Sequence, residues 1–166
     1  HGIAACAAGA EAVVGLRLKG FGPSGEPLEA HPPLLRRVKG QSRWGDFAYQ
    51  PVLARQGRRT TREHQLPLAL MALLLEQIQQ GDVPSMLVLG GGGRRLEQER
   101  LHLSSGLRRQ LSEGLRKLRS DLERPVPPPL AADRRKCSLC SWRVACNAVA
   151  AEEGHLSEVS GIGAKR

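Results

Sequence analysis

The chain has 166 residues, 25 of them Lys or Arg against 16 Asp or Glu, for a formal charge of +9. That balance points to a polyanionic partner, and 40% hydrophobic residues are enough for a core, which excludes a disordered basic tail. Five aromatics are too few for a single-strand binder built on many stacking platforms, and the longest apolar run, Leu66 to Leu75, falls short of the roughly 18 residues that cross a bilayer.

The chain opens at His1 with an Ala-rich start that lacks the basic n-region of a signal peptide, and it reads as a fragment of a longer protein. Residues 3 to 12 are small and helix-compatible. Val13 to Lys19 alternates, with Val14, Leu16 and Leu18 on one face, which is the period of a half-buried strand. The turn formers of Phe21 to Pro27 should reverse the chain into a second strand around Leu34 to Val38. A third strand is expected over Phe47 to Ala54, and the three make an antiparallel meander.

Beyond the basic loop Arg55 to Arg62, Thr60 with Glu63 fits a capping box, and Pro67 is tolerable only in the first turn of the helix that follows. Leu66 to Ile78 is apolar on most sides, so this helix should be largely buried, with Gly81-Asp82 and Pro84 stopping it. Ser85 to Leu89 is a continuous apolar run, the pattern of a strand covered on both faces. The resulting strand–helix–strand step predicts an α/β sheet. Gly90 to Gly93 suits a hairpin tip better than a phosphate cradle, because no P-loop Lys-Ser/Thr follows. Leu101 and Leu103 flank His102 in one more edge strand. Leu107, Leu111, Leu115, Leu118 and Leu122 then mark an amphipathic helix, whose other face carries Arg108, Arg109, Arg116, Lys117 and Arg119. Those cations either follow a nucleic-acid backbone or form a solvated face. Pro125 to Pro129 ends the helix as a stiff spacer.

Cys137-Ser138-Leu139-Cys140 followed by Cys146 is the most specific chemistry in the chain. A C-x2-C turn sets two thiols on one side of a knuckle, and a third, six residues on, can return on the next helical turn toward a tetrahedral site. Such crowding without a secretory context favours a metal over disulfides and a reducing, cytoplasmic compartment. The fourth ligand is open between Cys6, for which a small buried residue is the better default, and His155, which would suit zinc.

Several stretches carry a resemblance when taken together. They are His31-Pro32-Pro33-Leu34-Leu35, Gly40 to Pro51 (GQSRWGDFAYQP), Gln65 at the head of an apolar helix, and the three cysteines with His155-Leu156-Ser157. This pattern resembles the RecB-like nucleases of the PD-(D/E)XK superfamily, in a branch common in cyanobacteria. The cysteine segment is similar to that of the CRISPR-associated four-cysteine exonucleases. The resemblance implies an α/β, restriction-endonuclease-like core, with a central mixed sheet (antiparallel meander plus a buried strand) flanked by helices. That core would occupy residues 1–124, truncated at its N-terminus. A Pro-rich linker and cysteine segment over 125–154 and the start of a helix-hairpin-helix over 155–166 would follow, with a ribonuclease-H-like domain beyond Arg166.

The resemblance further implies a 4Fe-4S cluster on Cys137, Cys140 and Cys146, its fourth ligand ahead of His1, and Mg or Mn in an active hydrolytic centre. In such a centre an Asp would stand at Pro33, and an acid-x-lysine triplet at Leu53-Ala54-Arg55. The Tyr expected four residues after Gln65 is Ala69. Losing both carboxylates removes the oxygen ligands that a hard cation needs. Asp46 and Gln65 are left as the candidate catalytic residues, with Glu29 a second acid near in sequence, and Arg58, Arg59, Arg108 and Arg116 are the candidate nucleic-acid contacts. The expectation is a soluble DNA-processing module with DNA rather than RNA as partner, no membrane partner, and hydrolysis weak or lost. The alternative is a non-enzymatic zinc-knuckle adaptor.

Overall fold

The computed structural model describes residues 2–56, 60–91, 96–125, 130 and 140–155, in two units, His1–Arg119 and Ser120–Arg166. The first is mixed α/β. Its five-stranded sheet has the order β1 (Ala12–Val13), β4 (Leu34–Ser42), β5 (Gly45–Gln56), β6 (Met86–Gly91), β7 (Leu96–Leu101). All neighbours are antiparallel except β5 and β6. A parallel pair needs a crossover of a dozen residues or more. The helix α2 (Arg62–Gln79), with its 18 residues, supplies it. The expected strand–helix–strand step is therefore present, and β5 and β6 are its covered strands: Ala48 to Val52 and Met86 to Val88 are buried without alternation.

The start of the chain differs from expectation. Gly15 has φ +66° and interrupts the predicted strand over Val13 to Lys19. Val13 belongs to the two-residue β1, whereas Leu18 begins β2 (Leu18–Phe21), which pairs with β3 (Pro27–Ala30) in a separate hairpin. The turn after Phe21 thus joins β2 to β3, and the meander in the main sheet is β1-β4-β5.

The core lies between α2 and the sheet face carrying Leu35, Tyr49, Met86 and Val88, closed by Leu16, Leu18 and Ala30 and by Cys6 of α1 (Gly2–Ala7). The start of α2 is shifted from the expected cap, whereas its end at Gln79 falls just ahead of the expected stop at Gly81-Asp82. Its N-cap is Thr61, one residue past the predicted Thr60, and the Thr61 N–H donates to His64 Nδ1 at 3.1 Å. Pro67 is the sixth helical residue, deeper than the first turn. Its side chain is exposed, so the Glu63 carbonyl left without a helical donor faces the solvent side.

At the other end Gln79 is completely buried and uses its whole amide. Its Oε1 accepts the Tyr49 N–H at 3.0 Å, and its Nε2 donates to the carbonyls of Gly81 (3.1 Å) and Asp82 (2.8 Å). Its backbone carbonyl accepts the Arg43 N–H at 2.7 Å. Gly81 is needed because a Cβ there would lie 2.4 Å from the Gln41 carbonyl oxygen.

The edge strand expected near Leu101 is β7, but it runs ahead of His102 rather than around it. It pairs with β6 across 92–95, in agreement with a hairpin at the glycine run, although Gly92 and Gly93 lie outside the described residues. The helix α3 (Ser105–Leu122) begins where Ser104 Oγ accepts the Leu107 N–H at 3.2 Å. Leu111 is buried, but Leu118 is exposed.

In the second unit α4 (Arg143–Glu152) starts at Trp142. It ends through Gly154 (φ +60°) and a bond from the His155 N–H to the Ala150 carbonyl at 2.9 Å, a left-handed C-terminal cap. The division between units falls within α3, ahead of the expected boundary at residue 124. Among the described residues no helix is long and apolar enough to cross a membrane.

Replacing Gln79 by Leu keeps the volume but strands the Tyr49 N–H and two carbonyls. Urea unfolding should show a loss of about 3 kcal/mol. A change below about 1 kcal/mol would mean that the amide is no keystone.

Candidate functional site

Strand register decides where the motif positions fall. Leu34 pairs with Val52, so Pro33, just ahead of β4, is level with Leu53 on the neighbouring strand. Leu53 and Arg55 share the sheet face of Tyr49, the face that α2 covers, because side chains alternate along a strand. Gln65 sits at the N-terminal end of α2, whereas the C-terminal Gln79 touches Tyr49 in mid-β5. Pro33, Leu53, Arg55 and Gln65 are therefore brought to one end of the sheet. Pro33 is exposed, Leu53 and Gln65 are half-buried, and none of the four carries an acid.

The Arg55 side chain is only 2% exposed. Its guanidinium lies over Gly90 of β6, where a Cβ would come within 2.8 Å of Cζ. Beyond Gly90 its Nη2 is 3.8 Å from Oε2 of Glu99 on β7. The Thr60 hydroxyl donates to the same Glu99 oxygen. Glu99 is the carboxylate tied to Arg55, and it comes from a strand that carried no motif. Val88 pairs with Leu53 on one side and Glu99 on the other, so Leu53 and Glu99 are about 10 Å apart across two strand spacings.

The structure does not bring Asp46 to this end. It lies at the β4–β5 turn, seven residues from Leu53 along β5, roughly 23 Å in an extended strand, and on the opposite face. Its Oδ1 accepts Gln41 Nε2 at 2.9 Å. Glu29 is also elsewhere, on β3, bonded to Arg17 Nε (2.6 Å) and His31 Nε2 (2.8 Å). The Arg17 hydrogen bond holds its carboxyl below the usual carboxylate range. Among the described residues no group of three His, Cys, Asp or Glu is placed to hold a metal.

Of the candidate nucleic-acid contacts, Arg58 and Arg59 lie outside the described residues. Arg108 is committed elsewhere: its Nη2 bonds both Glu76 oxygens, at 2.7 and 2.8 Å, and ties α3 to α2. Arg116 is exposed. A different cationic surface emerges on the β4–β5 hairpin, where Arg36, Arg37, Lys39 and Arg43 are all exposed against the single acid Asp46. β1 covers only Leu35 and Arg36 of β4, so the outer edge from Val38 to Ser42 has no partner strand among the described residues. The aromatics of the same hairpin brace these cations. Arg37 sits 5.7 Å from the Phe47 ring centroid and Arg43 6.0 Å from that of Trp44. Four cations within eight residues are visible in the sequence.

Cys137 lies outside the described residues. Cys140 is exposed and Cys146 half-buried, on either side of the start of α4, and the Arg143 N–H returns to the Cys140 carbonyl at 3.1 Å. His155 lies past the end of α4, where its N–H returns to the carbonyl of Ala150, four residues after Cys146. Cys6 is completely buried in the core of the first unit, and burial pushes its thiol pKa up. It is the small core residue of the default reading.

No protein-family model matches the chain, and no curated protein matches it either.

Gly90→Ala should force the Arg55 guanidinium aside at a cost of about 1–3 kcal/mol in chemical unfolding. Glu99→Gln should cost about 1 kcal/mol, discounted because Glu99 is 44% exposed. Combined with Arg55→Met, the two changes should be non-additive. Strict additivity would show that the pair does not interact.

Proposed function

We propose that the chain is a nucleic-acid-binding module of RecB-like nuclease build in which phosphodiester hydrolysis is lost. One observation carries the reading. Strand register and the run of α2 gather Pro33, Leu53, Arg55 and Gln65 at one end, the positions where the resemblance expects a metal centre, and none of them supplies a carboxylate; the neutral amide oxygen of Gln65 is the one side-chain oxygen among the four. The carboxylate nearest Arg55, Glu99, is engaged with Arg55 and Thr60.

Binding rests on the β4–β5 hairpin. Lys39 and Arg43, with Arg36 on the other face of the strand, are exposed cations of the kind that neutralise phosphates, and Trp44 limits the motion of Arg43. DNA is the partner of choice over RNA by resemblance to the nuclease family. Binding of a labelled single-stranded oligonucleotide should weaken with salt, with a log–log slope near about −2 for three contacts. Lys39→Glu and Arg43→Glu should each reduce that slope by about 1. The oligonucleotide should stay intact in Mg or Mn. Metal-dependent cleavage, or a salt slope unchanged by both variants, would overturn the reading.

The cysteine segment is assigned to an iron–sulfur cluster that staples the second unit. The donor set fits: Cys140 and Cys146 flank the first turn of α4, and thiolates suit iron–sulfur chemistry. The alternative is a zinc knuckle in which His155 replaces the missing thiolate. Anaerobically purified protein should be brown and contain iron. Cys140→Ser should bleach it and lower its unfolding temperature. Colourless protein with stoichiometric zinc would exclude the cluster.

A further inference from the structure

A cleft of about 630 Å³ lies between the β4–β5 turn and the C-terminal end of α2. Its two walls are fixed to each other. The Arg43 N–H donates to the Gln79 carbonyl at 2.7 Å, and the Gln79 amide holds the carbonyls of Gly81 and Asp82. The volume falls within the roughly 300–1,000 Å³ of small-molecule sites. Gly40, Gly81 and Pro84 line it without a polar side-chain atom, a surface on which a flat ring can lie. Of the polar groups, Gln41 is bonded to Asp46, and the Ser42 hydroxyl accepts the Trp44 N–H. Arg43, Gln80 and Asp82 complete the lining. Gln80 and Asp82 are exposed, and neither side chain has a hydrogen bond or ion pair among the described residues. Gln80 also holds a positive φ, 50°, at a position where helices favour glycine.

We propose that this cleft receives a base of the bound DNA strand, and that the base is guanine. The inference rests on the oligonucleotide binding proposed above and adds a base preference to it. Arg43 lines the cleft and Lys39 adjoins it in sequence, so a strand whose phosphates meet both cations carries its bases past the opening. Charge decides which part of the strand enters. An ionised Asp82 repels a phosphate and can only accept hydrogen bonds. Among the DNA bases guanine alone sets two N–H donors side by side on its Watson–Crick edge, N1–H and the N2 amino group, and they match the two oxygens of a carboxylate. Adenine and cytosine place a ring-nitrogen acceptor beside their amino group, and thymine has a single N–H between two carbonyls. The Gln80 amide supplies a donor for the guanine O6.

The probe is a fluorescein-labelled dT oligonucleotide with one central dG, compared by anisotropy with strands carrying dA, dC or dT at that place. The dG strand should bind about tenfold tighter than each of the others. Hypoxanthine, which keeps N1–H and lacks the amino group, should fall between. Asp82→Asn should bring the ratio close to one, because its amide N–H2 faces donors with a donor. Gln80→Gly should lower the ratio by about threefold, and it suits the left-handed backbone. Thermal unfolding should show both variants folded; if one is not, the other still decides. Equal binding of all strands, a preference for another base, or a dG preference that survives both substitutions would overturn the inference and leave phosphate binding through Lys39 and Arg43 standing. Displacement of the strand by an equal concentration of free dGMP would overturn it too, by showing a mononucleotide site. Absence of binding by every strand would remove the parent reading and this one with it.

Discussion

The first unit depends on how Tyr49 and Gln79 meet. β5 pairs with β4 along most of its length, but β6 joins it only from Val52 onward. Ahead of that point the Tyr49 N–H would be a buried orphan, which is costly. Gln79 reaches from the end of α2 to satisfy it and with the same amide holds the carbonyls of Gly81 and Asp82. The Tyr49 hydroxyl extends the network by donating to the Ala10 carbonyl at 2.7 Å, while burial pushes its pKa up and keeps it a donor. Strand, crossover helix and N-terminal segment are thus locked by two side chains. The helix cannot slide along the sheet, and so Gln65, 14 residues before Gln79, stays at the Arg55 end.

At that end the charges cancel. A centre with two carboxylates and a lysine would carry a net charge of −1 and attract a divalent cation. Here Arg55 and Glu99 sum to zero, and Pro33 and Leu53 contribute nothing. A buried guanidinium left without its acid would be strongly destabilising. The close fit of Arg55 over Gly90 and the Thr60 bond to Glu99 keep that buried guanidinium and its acid in place.

Much of this was legible in the sequence. The apolar run Ser85 to Leu89 is β6, the strand expected over Phe47 to Ala54 is β5, and the helical stretch between them implied the strand–helix–strand step. What stayed hidden was set by tertiary contact. Thr60 looks like a cap by spacing, yet its hydroxyl goes to Glu99, 39 residues away, and Thr61 caps instead. Gly15 divides an alternating run because its positive φ redirects the chain, and alternation carries no trace of that. Arg108 read as a free cation because Glu76 is 32 residues distant. Glu99 belongs to no motif, and register alone aligns it with Arg55.

The same logic separates the two charged surfaces. Arg108 illustrates that a cation on an amphipathic helix is available to a ligand only if no acid of the underlying helix can reach it, and Glu76 can. The β4–β5 hairpin has only Asp46 among its own residues to oppose four cations, and Asp46 is hydrogen-bonded to Gln41. Aromatic bracing costs these cations little of their charge, whereas a salt bridge cancels it. With four Asp in 166 residues, only Asp46 falls among the hairpin's cations, and Arg37 draws a further acid, Glu11 at 4.0 Å, from outside it.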